Sequence, residues 1–288
     1  MKFYLIDAFT DQRFSGNPCA VFLDADPLPP NVMQTLAREM NLSETAFVLR
    51  SDVADFGARY FTPAEEIPLA GHPTLATCRA LLEAGRIAPD CRQISIALPA
   101  GIVTVDIADT TLTMTQLPPT FLQTHDPANV MPLFGLGADE AMAPIQTVST
   151  GTPQLMVPVR SLEALRRASM NVPAYLEYKA RSDFFSPHLF ALGGFSLVGQ
   201  TAARHFGVPP DTAEDPFTGS ATGGMACHLW RHGLISEPSL VAEQGFDMGR
   251  PGRAYVEVLG PPERIEGVRV AAGRGAGKRV FRRVRWNP

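Results

Sequence analysis

The sequence has little excess charge of either sign. Its 25 Lys and Arg stand against 29 Asp and Glu, for a formal net charge of −4. Nucleic acid or an anionic membrane surface usually demands a strong basic excess, so a small molecule is the expected partner. No run of about 18 consecutive apolar residues occurs, so no bilayer-spanning helix is expected. The amino-terminal MKFYLIDAFTDQ meets Asp7 too early for a secretory signal. Cysteine is scarce: Cys19, Cys78, Cys91 and Cys227 share no C-x-x-C spacing, which points to reduced packing thiols and a cytoplasmic protein, not to a disulfide frame or zinc site.

Apolar side chains are plentiful. With 288 residues, 45% hydrophobic and 19% charged, the chain is long enough to outgrow one core, and two domains are expected. Pro30 and the spacing of Val32, Met33, Leu36 and Met40 predict a helix that stops at Asn41. Ala46–Leu49 and Ala58–Phe61 read as strands, and Thr62 with Pro63 as a turn. A second helix is expected with Pro73 as its first residue, an apolar stripe of Leu75, Cys78 and Leu82, and a left-handed end at Gly85. Gln93–Leu98 and Ile102–Ile107 alternate as half-buried antiparallel strands do.

This grammar recurs when positions are counted from Gly71 and from Gly219. Gly85 and Gly233 each lie 14 residues on, Ile87 and Ile235 16, and Thr74 and Thr222 3. One unit therefore appears twice. The fold class expected is α+β: two similar domains, each a mostly antiparallel barrel-like sheet around a central helix, related by a pseudo-two-fold axis with the site in the cleft between them. The boundaries expected are 1–117, with 276–288 as a candidate completion, and 118–275; the linker is placed in the Pro-containing stretch Gln116 to Pro132.

In this repeat His72 and Ser220 occupy one place, read as immediately before the first helical residue, with Ser220 a natural N-cap. Helix starts carry unpaired N–H groups and a positive dipole end, which suit a substrate carboxylate or an enolate-like charge. Proton chemistry needs a base, and Glu44 in Asn41-Leu42-Ser43-Glu44-Thr45-Ala46-Phe47 is the candidate: burial beside Leu42, Ala46 and Phe47 would suit a group that both accepts and returns a proton. Asp215 leads into the second helix start and could hold His72 or a substrate amine; a plain turn-forming Asp before Pro216 is the alternative.

These motifs, met in order, are Asp7-Ala8-Phe9 with Gly16-Asn17-Pro18, Asn41-Leu42-Ser43-Glu44-Thr45, Tyr60-Phe61-Thr62-Pro63, Gly71-His72-Pro73-Thr74, Glu214-Asp215-Pro216 with Thr218-Gly219-Ser220-Ala221, and Glu243-Gln244-Gly245 with Gly249-Arg250-Pro251. Through them the chain resembles the phenazine biosynthesis PhzF-like family, within the diaminopimelate-epimerase-like fold. The resemblance implies an isomerase, commonly a homodimer, that uses no cofactor and no metal. It further implies that Glu44 shuttles a proton on a dihydro-hydroxyanthranilate-type acid, helped by His72, Asp215 and Ser220, with Ser43, Gly71 and Gly219 as substrate-binding neighbours. Related epimerases place a cysteine at each helix start, where this chain has Ala70 and Thr218; neither replaces a thiolate base, so two-thiol racemisation is disfavoured.

Other signals are weaker. Gly273, Gly275 and Gly277 leave too little chain after them for a dinucleotide unit and read as a turn. Arg279, Arg282, Arg283 and Arg285 read as a solvated sheet edge. His228 and His232 stand one helical turn apart without a third ligand in the sequence, which argues against a metal. Two rivals remain: an amino- or hydroxy-acid epimerase or racemase using Glu44 with a second base, and a non-catalytic protein that binds small acids.

Overall fold

In the computed structural model, residues 2–272 are described. The glycine turn at Gly273–Gly277, the basic cluster after Arg279 and the completion by 276–288 lie outside them. The chain is mixed α and β, rich in strands and poor in helices, and its described residues fall into two compact units: residues 2–115 with 209–212 and 271–272, and residues 116–208 with 213–270.

The first unit contains β1 (Phe3–Ala8), β2 (Asn17–Phe22), α1 (Pro30–Met40), β3 (Glu44–Leu49), β4 (Phe56–Phe61), β5 (Glu66–Ile67), α2 (Gly71–Glu83), β6 (Gln93–Leu98), β7 (Gly101–Ala108) and β8 (Thr111–Gln116). Its strands pair β1–β2 antiparallel, β2–β3 parallel, β3–β4 antiparallel, β4–β6 parallel and β6–β7 antiparallel. A cluster of Phe22, Met33, Ala37, Phe47 and Phe61 seals α1 against the sheet. Helix α1 opens at Pro30, whose missing N–H is no loss at the first position, and closes at Asn41 in the left-handed conformation, as its sequence predicts.

The second unit contains β9 (Thr120–His125), α3 (Pro127–Val130), β10 (Ile145–Ser149), β11 (Pro153–Pro158), α4 (Leu162–Arg167), α5 (Val172–Lys179), β12 (Ser186–Leu192), β13 (Thr201–Phe206), β14 (Glu214–Asp215), α6 (Gly219–Arg231), β15 (Ser239–Gln244), β16 (Gly252–Leu259) and β17 (Gly267–Ala272). The stretch read as a linker, Gln116 to Pro132, here carries a strand and a short helix. The pairings β10–β11 antiparallel, β11–β12 parallel, β12–β13 antiparallel, β13–β15 parallel and β15–β16 antiparallel repeat the first unit's sequence of senses.

The two long buried helices match in detail. Both α2 and α6 have 13 residues. In each, a threonine hydroxyl donates back to the residue before the helix, Thr74 Oγ1 to Ala70 O at 2.7 Å and Thr222 Oγ1 to Thr218 O at 2.9 Å. Each ends on a left-handed glycine, Gly85 at φ 68° and Gly233 at φ 64°. The closing bonds correspond: Arg86 N to Leu81 O and Leu234 N to Leu229 O, both 2.9 Å. This is the Schellman ending, and a Cβ there would have to adopt a strained backbone.

The structure corrects the helix starts. Helices α2 and α6 begin at Gly71 and Gly219, with Ala70 and Thr218 as the flanking residues. Ser220 is therefore the second helical residue and not an N-cap, His72 likewise, and Pro73 is the third. Pro73 is tolerated because the N–H groups of the first turn have no intrahelical acceptor.

Candidate active site

The site in the first unit grows from three elements. Parallel pairing of β2 with β3 sets Cys19 opposite Glu44, and α2 packs against both strands. Asn17 is two residues before Cys19 and so shares its face of the strand. Gly16, at φ 60°, opens β2; a Cβ on it would lie 2.1 Å from Ala8 O, so only glycine lets the chain turn in here.

Asn17, Cys19, Glu44 and His72 converge. Glu44 Oε2 lies 2.9 Å from His72 Nδ1, with the histidine side chain 3% exposed and the glutamate 18%. The carboxylate oxygen forms no aligned hydrogen bond with the ring. Asn17 Nδ2 is 3.3 Å from the same ring nitrogen. Burial alone would push the imidazole towards its neutral form, but the Glu44 carboxylate and the Cys19 thiol together outweigh it and hold His72 well above its ordinary value. Burial pushes the Cys19 thiol up, so it stays protonated beside the ring. Glu44 is thus a half-buried carboxyl group facing a ring whose protonated form its own charge favours. That differs from the purely apolar surroundings expected from its neighbours in sequence.

Ser43 adjoins Glu44, its Oγ 3.4 Å from Thr212 Oγ1. Gly71 opens α2 and brings no side chain to its first turn. Tyr60, at the heart of this unit, bonds Thr74 through its hydroxyl at 3.1 Å, and burial pushes that phenol far up.

In the second unit Asp215 accepts a short hydrogen bond from Thr218 Oγ1. Gln244, fully buried, accepts from Thr218 N at 3.1 Å and donates to Asp215 O at 2.7 Å. A side chain from β15 thereby stitches Asp215 to the start of α6, where Gly219 and Ser220 occupy the first turn. Gln116 Nε2 donates to Gly219 O at 2.9 Å, and its own side-chain oxygen accepts from Thr150 Oγ1 at 2.7 Å, fixing that turn from the other side. Sequence reasoning misses Asn17, Gln116 and Gln244 as site residues. Asn17 and Gln244 stand within the family motifs, which is their only signal in the sequence.

His228 and His232 are already engaged: His228 Nε2 donates to Pro144 O at 2.9 Å and His232 Nε2 lies 3.2 Å from Gln146 Oε1. Among the described residues no three His, Cys, Asp or Glu are grouped to hold a metal, and no helix is long and apolar enough to cross a membrane.

The acid–imidazole pair thus joins the start of β3 to the first turn of α2 within a strand-rich frame. The family model described as phenazine biosynthesis-like protein matches residues 6–277, and the chain belongs to that family, PhzC–PhzF. It is similar to the trans-2,3-dihydro-3-hydroxyanthranilate isomerase of Pseudomonas aeruginosa, 36% identical with 96% of each chain covered. The solved PhzF-family phenazine biosynthesis protein of Bacillus anthracis superposes with a TM-score of 0.84 at 30% identity, covering 94% of this chain and 95% of that one. A hydroxyproline epimerase of Agrobacterium vitis shares the fold at a TM-score of 0.61 and 16% identity, over 94% of this chain and 90% of that one. As in those curated relatives, the enzyme class is isomerase.

Proposed function

We propose that the chain catalyses a cofactor-independent proton shift on a small carboxylic acid resembling trans-2,3-dihydro-3-hydroxyanthranilate. Glu44 takes a proton from the substrate carbon as the carboxylate and returns it to another position as the acid. The observation that carries this reading is the Glu44–His72 pair at 2.9 Å. The protonated ring steadies the carboxylate before transfer and again once the proton has been returned to the substrate. Ser43 and the first-turn N–H groups at Gly71 bind polar groups of the acid. In the second unit Gly219 and Ser220 present first-turn N–H groups of the same kind, with Asp215 beside them as a group suited to a substrate amine.

The repeated strand order and matched helix ends support descent of the two units from one duplicated unit. The resemblance further supports a homodimer working in the cytoplasm, which sedimentation at micromolar concentration would reveal as twice the chain mass. Epimerisation through two thiols is disfavoured, because Ala70 and Thr218 flank the two helix starts.

The test is incubation in deuterium oxide with trans-2,3-dihydro-3-hydroxyanthranilate and a panel of small amino and hydroxy acids. Deuterium at carbon in a double-bond isomer supports the reading. Deuterium with inversion at a single carbon would make the protein an epimerase, and binding without any exchange would make it a binding protein.

A further inference from the structure

Two groups compete for one atom in the first unit. Asn17 is wholly buried on β2, and its Nδ2 lies 3.3 Å from His72 Nδ1, the same nitrogen that has Glu44 Oε2 at 2.9 Å. The amide nitrogen can only donate, whereas the carboxylate can only accept while ionised. A ring nitrogen that carries its proton suits Glu44; one that has lost it suits Asn17. The aligned contact is the amide, and the carboxylate stands off the hydrogen-bond direction.

We propose that Asn17 is a positioning residue for His72: its amide stabilises the form of the ring with Nδ1 unprotonated, opposing Glu44, and so lets the imidazole change partner as Glu44 gains and loses the substrate proton. The titratable groups acting on the ring are Glu44 from β3 and Cys19 from β2, and the thiol remains protonated. Glu44 holds the proton on the ring; Asn17 is the counterweight. The position is fixed by its surroundings, since β2 pairs with β1 through Asn17↔Ala8 and Pro18↔Asp7, and Asp7 Oδ2 accepts from Phe14 N at 3.1 Å within the loop that leads to it.

The role of Asn17 in turnover rests on the proton-shift reading; its effect on the ring does not. The experiment is a pH titration of His72 by nitrogen-15 NMR in the full-length, unliganded protein with labelled histidine, the resonance assigned by His72→Gln. Wild type is compared with Asn17→Leu, which removes the donor at similar volume, and Asn17→Asp, which keeps the shape and replaces the donor by an acceptor. The expected result is that His72 keeps its proton to higher pH in both variants, more so in Asn17→Asp. In the deuterium exchange assay with trans-2,3-dihydro-3-hydroxyanthranilate, kcat should fall about tenfold with KM little changed, the scale of one lost hydrogen bond. If one variant fails to give a cooperative melt, the other carries the test. A His72 titration that stays in place or moves to lower pH overturns the proposal, the latter meaning that the amide presents its oxygen to an N–H. If His72 shifts upward but wild type exchanges no deuterium, the positioning role stands and the proton-shift function falls.

Discussion

At the scale of single residues, burial decides which groups can react. Cys19, Cys78 and Cys227 are buried and Cys91 is partly exposed. Burial raises all three buried thiols, Cys227 to about 12. Since the thiolate is the nucleophile, Ellman's reagent near pH ~8 should find one fast-reacting thiol, lost in Cys91→Ser, and all the cysteines after unfolding. Two or more fast thiols in the native protein would contradict this packing. Glu44 and His72 are legible in the sequence because each stands in a short motif beside a helix or strand boundary. Asn17 is not, because its partner lies 55 positions away and only the pairing of β2 with β3 under α2 brings them together.

At the scale of elements, the likeness of the two units is most visible in how α2 and α6 end. Gly85 and Gly233 both take left-handed conformations, and a Cβ added to either would meet no atom within 4 Å, so alanine there costs backbone strain and not a clash. Gly85→Ala and Gly233→Ala should each destabilise the protein by about 1 kcal/mol, read from urea denaturation. A loss at one position alone would mean that the two endings are not equivalent. The helix ends are readable because a glycine after an apolar stripe has a local cause. The starts of α2 and α6 fall two residues earlier than the sequence suggests, because Ser and Pro satisfy several early positions and propensity does not rank them. Strands are legible where apolar and polar residues alternate, as in β6 and β7.

At the scale of the whole molecule, the buried imidazoles are the groups expected to set the acid limit. His188 and His205 face each other with Nδ1 atoms 3.3 Å apart, both buried. Burial lowers His205 to about 4 against a smaller opposing pull from Asp215, and lowers His228 to about 3, with neighbouring His232 adding to it. These groups bind protons more readily unfolded, near pH ~6.5, than folded. Their contribution is whole above that pH and is lost as pH falls towards 4 and 3. The melting temperature should therefore drop steeply across that window, and His205→Gln should flatten the slope. An unchanged slope would place the acid limit elsewhere. His72 works in the opposite sense: its folded value is raised, so its contribution is present at low pH and fades as pH rises through that value.

In the proposed reaction Glu44 carries the proton. Deuterium incorporation into trans-2,3-dihydro-3-hydroxyanthranilate should fall by a factor of about 1,000 or more in Glu44→Gln, which cannot accept a proton, while the variant keeps its fold and its affinity for the acid. Incorporation at the wild-type rate in Glu44→Gln would contradict the account and move the base to another residue.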